Sequence, residues 1–191
     1  MRLFVGIDID PPIRAAIGQF MEAVRGFAPD VRWVKPESLH ITLKFIGEWQ
    51  RLANLKQELT GLRGEPVDIT FGGTGFFPSA RAARVFWIGV EAPPQLETLA
   101  RSIDSATAKL GIESEKRAFT PHLTLARSGS GRPQRMSGDR NTSLFQRLQN
   151  RLATMPAAAF GTMTAREFFL FESKLSPKGA QYTKLERFPL G

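Results

Sequence analysis

The sequence predicts an α+β protein of two similar lobes packed about an approximate two-fold axis, with a cleft between them. Three observations predict it. A β-rich run, a Pro-Pro start and an amphipathic helix occur twice, in the same order. Both histidines of the chain open the same kind of tetrapeptide, His40-Ile41-Thr42-Leu43 and His122-Leu123-Thr124-Leu125. Each tetrapeptide also stands the same distance from its Pro-Pro start: His40 follows Pro12 by 28 residues, and His122 follows Pro94 by 28. By average residue usage, an aliphatic-Thr-Leu tail after a given His arises by chance on the order of 10⁻³. A duplicated chain accounts for all three. Two copies are too few for a solenoid, so the halves are expected to face one another.

The elements follow in order. Arg2–Ile9 is a β-rich run ended by Asp10-Pro11-Pro12. Apolar residues then recur at Ile13, Ile17, Phe20, Val24 and Phe27 with helical spacing, Asp10 being a candidate N-cap and the prolines suiting a first turn. Leu52, Leu55, Leu59 and Leu62 mark a second helix, and Val67–Phe71 a strand. Arg84–Val90 repeats the opening strand, and Leu96, Leu99, Ile103, Ala106 and Leu110 repeat the first helix. A weaker helical pattern at Leu144, Leu148 and Leu152 precedes strand-like runs at Glu167–Phe171 and Tyr182–Leu185. The glycine-rich segment 71–78 lacks the Gly-Lys-Ser/Thr end of a phosphate-binding loop and reads as a turn or bulge between lobes. Residues 127–143 are rich in Ser, Gly and Arg and read as a loop beside the second motif, where Arg127, Arg132, Arg135 and Arg140 could contact RNA.

Composition narrows the function classes. The 191 residues carry 26 Lys+Arg against 18 Asp+Glu, a formal charge of +8 that suits a polyanionic partner such as RNA or a phosphate ester. There is no cysteine, hence no disulfide, thiolate metal site or Cys nucleophile. No apolar stretch approaches the roughly 18 residues of a membrane span, and the N-terminus does not read as a signal peptide. A cytoplasmic protein is expected.

Strand alternation places His40, Thr42 and Lys44 on one face, with Ile41, Leu43 and Phe45 on the other, and residues i and i+2 roughly 7 Å apart. His122 and Thr124 share the corresponding face of the second strand. Two imidazoles and two hydroxyls would then line one cleft. One neutral imidazole can take a proton from attacking water while the other gives one to a leaving oxygen, with threonine hydroxyls at the growing charge of a phosphate. A buried structural histidine explains one such residue; matching contexts for both favour paired function. Zinc would want a third ligand, and no further His and no Cys exist to supply one. Ser128-Gly129-Ser130-Gly131 imitates a nucleophile elbow only superficially, with no flanking strand and helix. Trp33, Phe76, Phe77 and Tyr182 could stack a base, although aromatics on such runs are more often core.

These residues resemble a known family. The paired His-x-Thr-Leu motifs, Arg2-Leu3-Phe4-Val5, Trp33 ahead of the first motif, His40–Gly47, Phe119–Arg127, and Phe171–Leu175 before Tyr182 are similar to the LigT-like RNA 2′,3′-cyclic phosphodiesterases. These are historically called 2′-5′ RNA ligases and belong to the two-histidine phosphoesterases. The resemblance implies a single bilobal α+β domain over 1–191, with a mainly antiparallel sheet in each lobe and helices on its outer face. It implies hydrolysis of a terminal 2′,3′-cyclic phosphate to a 2′-phosphomonoester with no metal or other cofactor. His40, Thr42, His122 and Thr124 would be the catalytic residues, with His40 as acid and His122 as base or the reverse. Arg127 and Lys44 would bind substrate, although simple alternation turns Arg127 away from the cleft unless the strand ends there. The expected partner is RNA or a nucleotide with a cyclic phosphate end, and the expected state a monomer. The same chemistry on 2′-5′ linked oligonucleotides, including reversible 2′-5′ RNA joining, or on a cyclic ADP-ribose phosphate stands as an alternative. A non-catalytic RNA-binding module is the reading from another class.

Overall fold

The computed structural model describes residues 1–129, 144–176 and 179–191. Arg132, Arg135 and Arg140 of the expected RNA-contacting loop therefore lie outside the described residues. The chain forms an α+β fold around one curled, wholly antiparallel sheet. In chain order the elements are β1 (Arg2–Asp8), α1 (Pro11–Val24), β2 (Arg32–Trp33), β3 (His40–Glu48), α2 (Leu52–Thr60), β4 (Val67–Phe77), β5 (Val85–Glu91), α3 (Pro94–Ala108), β6 (His122–Arg127), α4 (Gln146–Ala153), β7 (Ala159–Ala165), β8 (Glu167–Ser176) and β9 (Gly179–Pro189).

The periodicities become elements with small changes. Ile13, Ile17 and Val24 are the buried stripe of α1, joined by Met21, while Phe27 falls in a short 3-10 turn after it. Pro11 and Pro12 occupy the first turn as expected, but the Asp10 side chain caps nothing. The stripe of α3 is Leu96, Leu99, Ile103 and Ala106. Leu96, Leu99 and Ile103, with Leu55 and Leu59 of α2, share one continuous core with Ile41, Leu43, Leu123 and Leu125.

The strand order β7-β4-β5-β6-β3-β1-β8-β9, with β2 on the edge of β6, is itself symmetric. β3-β1-β8-β9 mirrors β6-β5-β4-β7, and the two four-stranded halves meet at one pair, Ile41 with Leu123. Those are the equivalent residues of the two motifs, so the pseudo-two-fold passes between them. The halves do not follow the chain halves. β4 comes from the first repeat and pairs with β5 of the second, while β8, from the C-terminal part, pairs with β1.

Of the turn-or-bulge reading of the glycine-rich segment, the bulge is what forms, and it lies inside a strand. The segment is the second half of β4, bulged between Gly72 and Thr74, with Gly73 at φ 68°. Gly75 is needed there for a different reason: a Cβ on it would come within 2.1 Å of the Trp87 ring.

Candidate active site

A second irregularity, present in both halves, decides which side chains reach the cleft. Val5 pairs with Lys44 and Gly6 with Thr42, which leaves Leu43 as an extra residue on β3. Phe86 pairs with Ala126 and Trp87 with Thr124, which leaves Leu125 as an extra residue on β6. These are β-bulges at equivalent positions, and each resets the alternation that follows. Leu43 and Lys44 are consecutive buried residues, as are Leu125 and Ala126.

The reset has opposite consequences for the two expected substrate-binding residues. Lys44 turns into the core side, 5% exposed, where Nζ donates to the Asp104 carboxylate and to the Glu113 carbonyl. It does not share the His40 face, because the bulge at Leu43 intervenes. Arg127 moves the other way. It shares the side of Thr124, with Nη2 3.4 Å from Thr124 Oγ1, and its charge is felt at both imidazoles.

The four motif side chains lie as alternation predicts. His40, Thr42, His122 and Thr124 are all half-buried, between the fully buried Ile41, Leu43, Leu123 and Leu125. The two histidines are held identically. His40 Nδ1 donates to the Ser38 carbonyl at 2.9 Å, and His122 Nδ1 donates to the Thr120 carbonyl at 2.9 Å. In each case the acceptor stands two residues earlier. With the proton on Nδ1, a neutral ring presents Nε2 as a base, and a charged ring presents Nε2–H as an acid. Thr42 Oγ1 lies 3.1 Å from His40 Nε2 and donates to it when the ring is neutral.

Electrostatics distinguish the halves. Burial pushes the His40 pKa down to about 4, with the charges of Arg127 and His122 acting the same way; the bond to Ser38 and the Asp8 carboxylate oppose them. His122 is likewise lowered, by burial and then by Arg127, and the bond to Thr120 opposes. Asp8 stands across from His40 in the β1–β3 register, whereas the residue across from His122 is Gly89. The Asp8 carboxylate accepts from the Ile9 amide, Arg14 and Lys184. Arg14 also donates to the Pro36 carbonyl at 2.7 Å, tying down the turn that offers Ser38 to His40.

Aromatic rings wall each histidine. Phe4 lies 4.5 Å from His40, and Tyr182 meets it edge-on at 4.9 Å. Phe77 meets His122 edge-on at 4.9 Å and packs on Trp87. Of the four aromatics weighed for base stacking, Phe77 and Tyr182 line the cleft. Trp33 packs against Phe86, and Phe76 lies between Phe86 and Phe145. Sequence reasoning missed Asp8, Arg14 and Lys184 as site residues. The one available signal was an acid closing an otherwise apolar strand at Asp8. Among the described residues, no three His, Asp or Glu side chains gather as a metal-binding group, and no helix is long and apolar enough to cross a membrane.

Comparison with known proteins shows the family. A family model described as "2'-5' RNA ligase superfamily" matches residues 10–160. The RNA 2′,3′-cyclic phosphodiesterase of Methanothermobacter thermautotrophicus is 35% identical over 196 residues, covering 100% of this chain and 99% of that protein. That of Archaeoglobus fulgidus is 36% identical over 190 residues, covering 98% and 99%. Among solved structures, LigT of E. coli complexed with 3′-AMP superposes with a TM-score of 0.77 at 28% identity, over 99% of this chain and 97% of that one. A match across most of the chain, with relatives above 30% identity from end to end, leaves one conclusion: the chain belongs to the 2′-5′ RNA ligase superfamily.

Proposed function

We propose that this protein is an RNA 2′,3′-cyclic phosphodiesterase that opens a terminal 2′,3′-cyclic phosphate to a 2′-phosphomonoester, using the two His-x-Thr pairs and no metal. The observation that carries this reading is the paired geometry of the imidazoles. Each has Nδ1 tied to the carbonyl two residues back and Nε2 on the side of the motif threonines, His40 Nε2 lying 3.1 Å from Thr42 Oγ1, on two strands joined at Ile41 and Leu123. The similarity to cyclic phosphodiesterases over the whole chain supports the same activity.

In this scheme the cyclic phosphate lies between the rings. His122 Nε2 takes a proton from water as the water oxygen bonds to phosphorus. The P–O3′ bond breaks, and O3′ receives a proton from His40 Nε2. Charge growing on the non-bridging oxygens meets the Thr42 and Thr124 hydroxyls and the Arg127 guanidinium. His40 is assigned the acid because a carboxylate, Asp8, lies across from it and none lies across from His122. Burial keeps both rings neutral at neutral pH in the free site, so the negative charge of the bound phosphate must bring the proton on.

The test is turnover of an oligonucleotide ending in 2′,3′-cyclic phosphate in excess EDTA. Undiminished hydrolysis to a 2′-phosphate end is expected. A need for added metal would overturn the mechanism, and a 3′-phosphate product would overturn the assignment of O3′ as leaving group.

A further inference from the structure

Two arginines stand opposite each other at one end of the cleft, with no ion-paired acid among the described residues. Arg32 of β2 pairs in register with Arg127 of β6. Trp33 turns inward, its ring edge-on to Phe86 and its Nε1 donating to the Ala28 carbonyl at 2.9 Å. Alternation therefore sends Arg32 to the cleft side, where it is exposed. Among the described residues, neither guanidinium takes part in an ion pair. Burial pushes the Arg127 pKa down; Tyr182 opposes the shift and the charge on Arg32 adds to it. Like charges directly opposite one another on paired strands are destabilising, and an anion lying between them removes the penalty.

We propose that Arg32 and Arg127 together clamp a second phosphate, the one carried on the 5′ oxygen of the nucleoside whose cyclic phosphate sits between the histidines. Arg127 is the shared member, since its charge acts on both imidazoles, and Arg32 stands across from it on β2. The clamp gives the site a preference for a nucleotide already bearing a 5′ phosphate group. Such a group comes either from the RNA chain, as the preceding phosphodiester, or from a free 5′-nucleotide. This inference rests on the cyclic-phosphodiesterase reading of the same site.

The experiment compares kcat/KM for adenosine 2′,3′-cyclic phosphate, its 5′-phosphorylated form and the dinucleotide ApA ending in 2′,3′-cyclic phosphate, in the wild type, Arg32→Met and Arg32→Lys. In the wild type a second phosphate should raise kcat/KM about tenfold, the size of one charge-assisted contact. An advantage shared by both longer substrates, or seen with only one of them, supports the clamp and identifies its source. Arg32→Met should bring the ratio to the bare nucleoside substrate close to one, and Arg32→Lys should restore part of it. A wild type without the advantage, or an Arg32→Met variant that keeps it, overturns the clamp. A wild type that hydrolyses none of the three substrates overturns the hydrolase reading itself and the clamp with it. As a readout besides activity, inorganic phosphate should raise the Tm of the wild type more than that of Arg32→Met; equal shifts would count against the clamp.

Discussion

His40, the proposed acid, shows how much of a site residue is made by its surroundings. Its Nδ1 is tied to Ser38, its Nε2 lies against Thr42, and Phe4 and Tyr182 strip it of water. Desolvation disfavours the charged ring, which holds its pKa down at about 4, below the ordinary 6.5. The sign of the linkage follows. Between pH 6.5 and about 4 the unfolded chain binds a proton that the folded ring refuses, so stability falls as pH falls through that window. The contribution is up to about 3 kcal/mol, at 1.36 kcal/mol per unit. Urea unfolding of the wild type and of His40→Asn at pH 7, 5 and 4 should show the variant losing less stability on acidification. Parallel losses would mean that His40 titrates normally in the folded protein. The motif histidines and threonines were legible because alternation and repetition are written in the sequence. Asp8, Arg14 and Lys184 were not, because their meeting needs β1, α1 and β9 to be folded together.

The bulges at Leu43 and Leu125 are the elements that separate sequence reasoning from structure. A bulge is a property of the register between two strands, so a single strand read by itself keeps its simple alternation past the bulge. That is why Lys44 reads as a cleft residue and is buried, and why Arg127 reads as doubtful and faces the site. β2 and β7 went unread for a related reason: two residues, or a run interrupted by Gly161, carry too little periodicity. The buried role of Lys44 makes a prediction. Lys44→Met removes the cation that Asp104 and the Glu113 carbonyl are built around, and should lower the unfolding free energy by about 1–3 kcal/mol. KM for the cyclic phosphate should stay within about twofold of the wild type. A raised KM with stability intact would make Lys44 a substrate ligand after all.

At the scale of the whole molecule, duplication supplies the two half-sites and strand exchange locks them together. β4 crosses into the second half, β8 and β9 into the first, and one apolar core runs through both. The halves should therefore unfold as a unit, with coincident transitions by near-UV and far-UV circular dichroism; two separated transitions would show independent lobes. The two-fold is broken at Asp8 against Gly89, the residues across from His40 and His122. Fold class and repeat were legible because they rest on spacing, while the exchange of strands was not, since spacing says nothing of partners. The central claim is that His40 and His122 form one acid–base site. It is tested most directly by kcat/KM on a cyclic-phosphate oligonucleotide for His40→Ala, His122→Ala and the double variant. Each single variant should lose about 10²–10⁴, with affinity for the 2′-phosphate product largely kept, and the double variant should lose little more than the worse single one, because acid and base act as a unit. Losses that multiply, or a single variant that stays fully active, would contradict the claim.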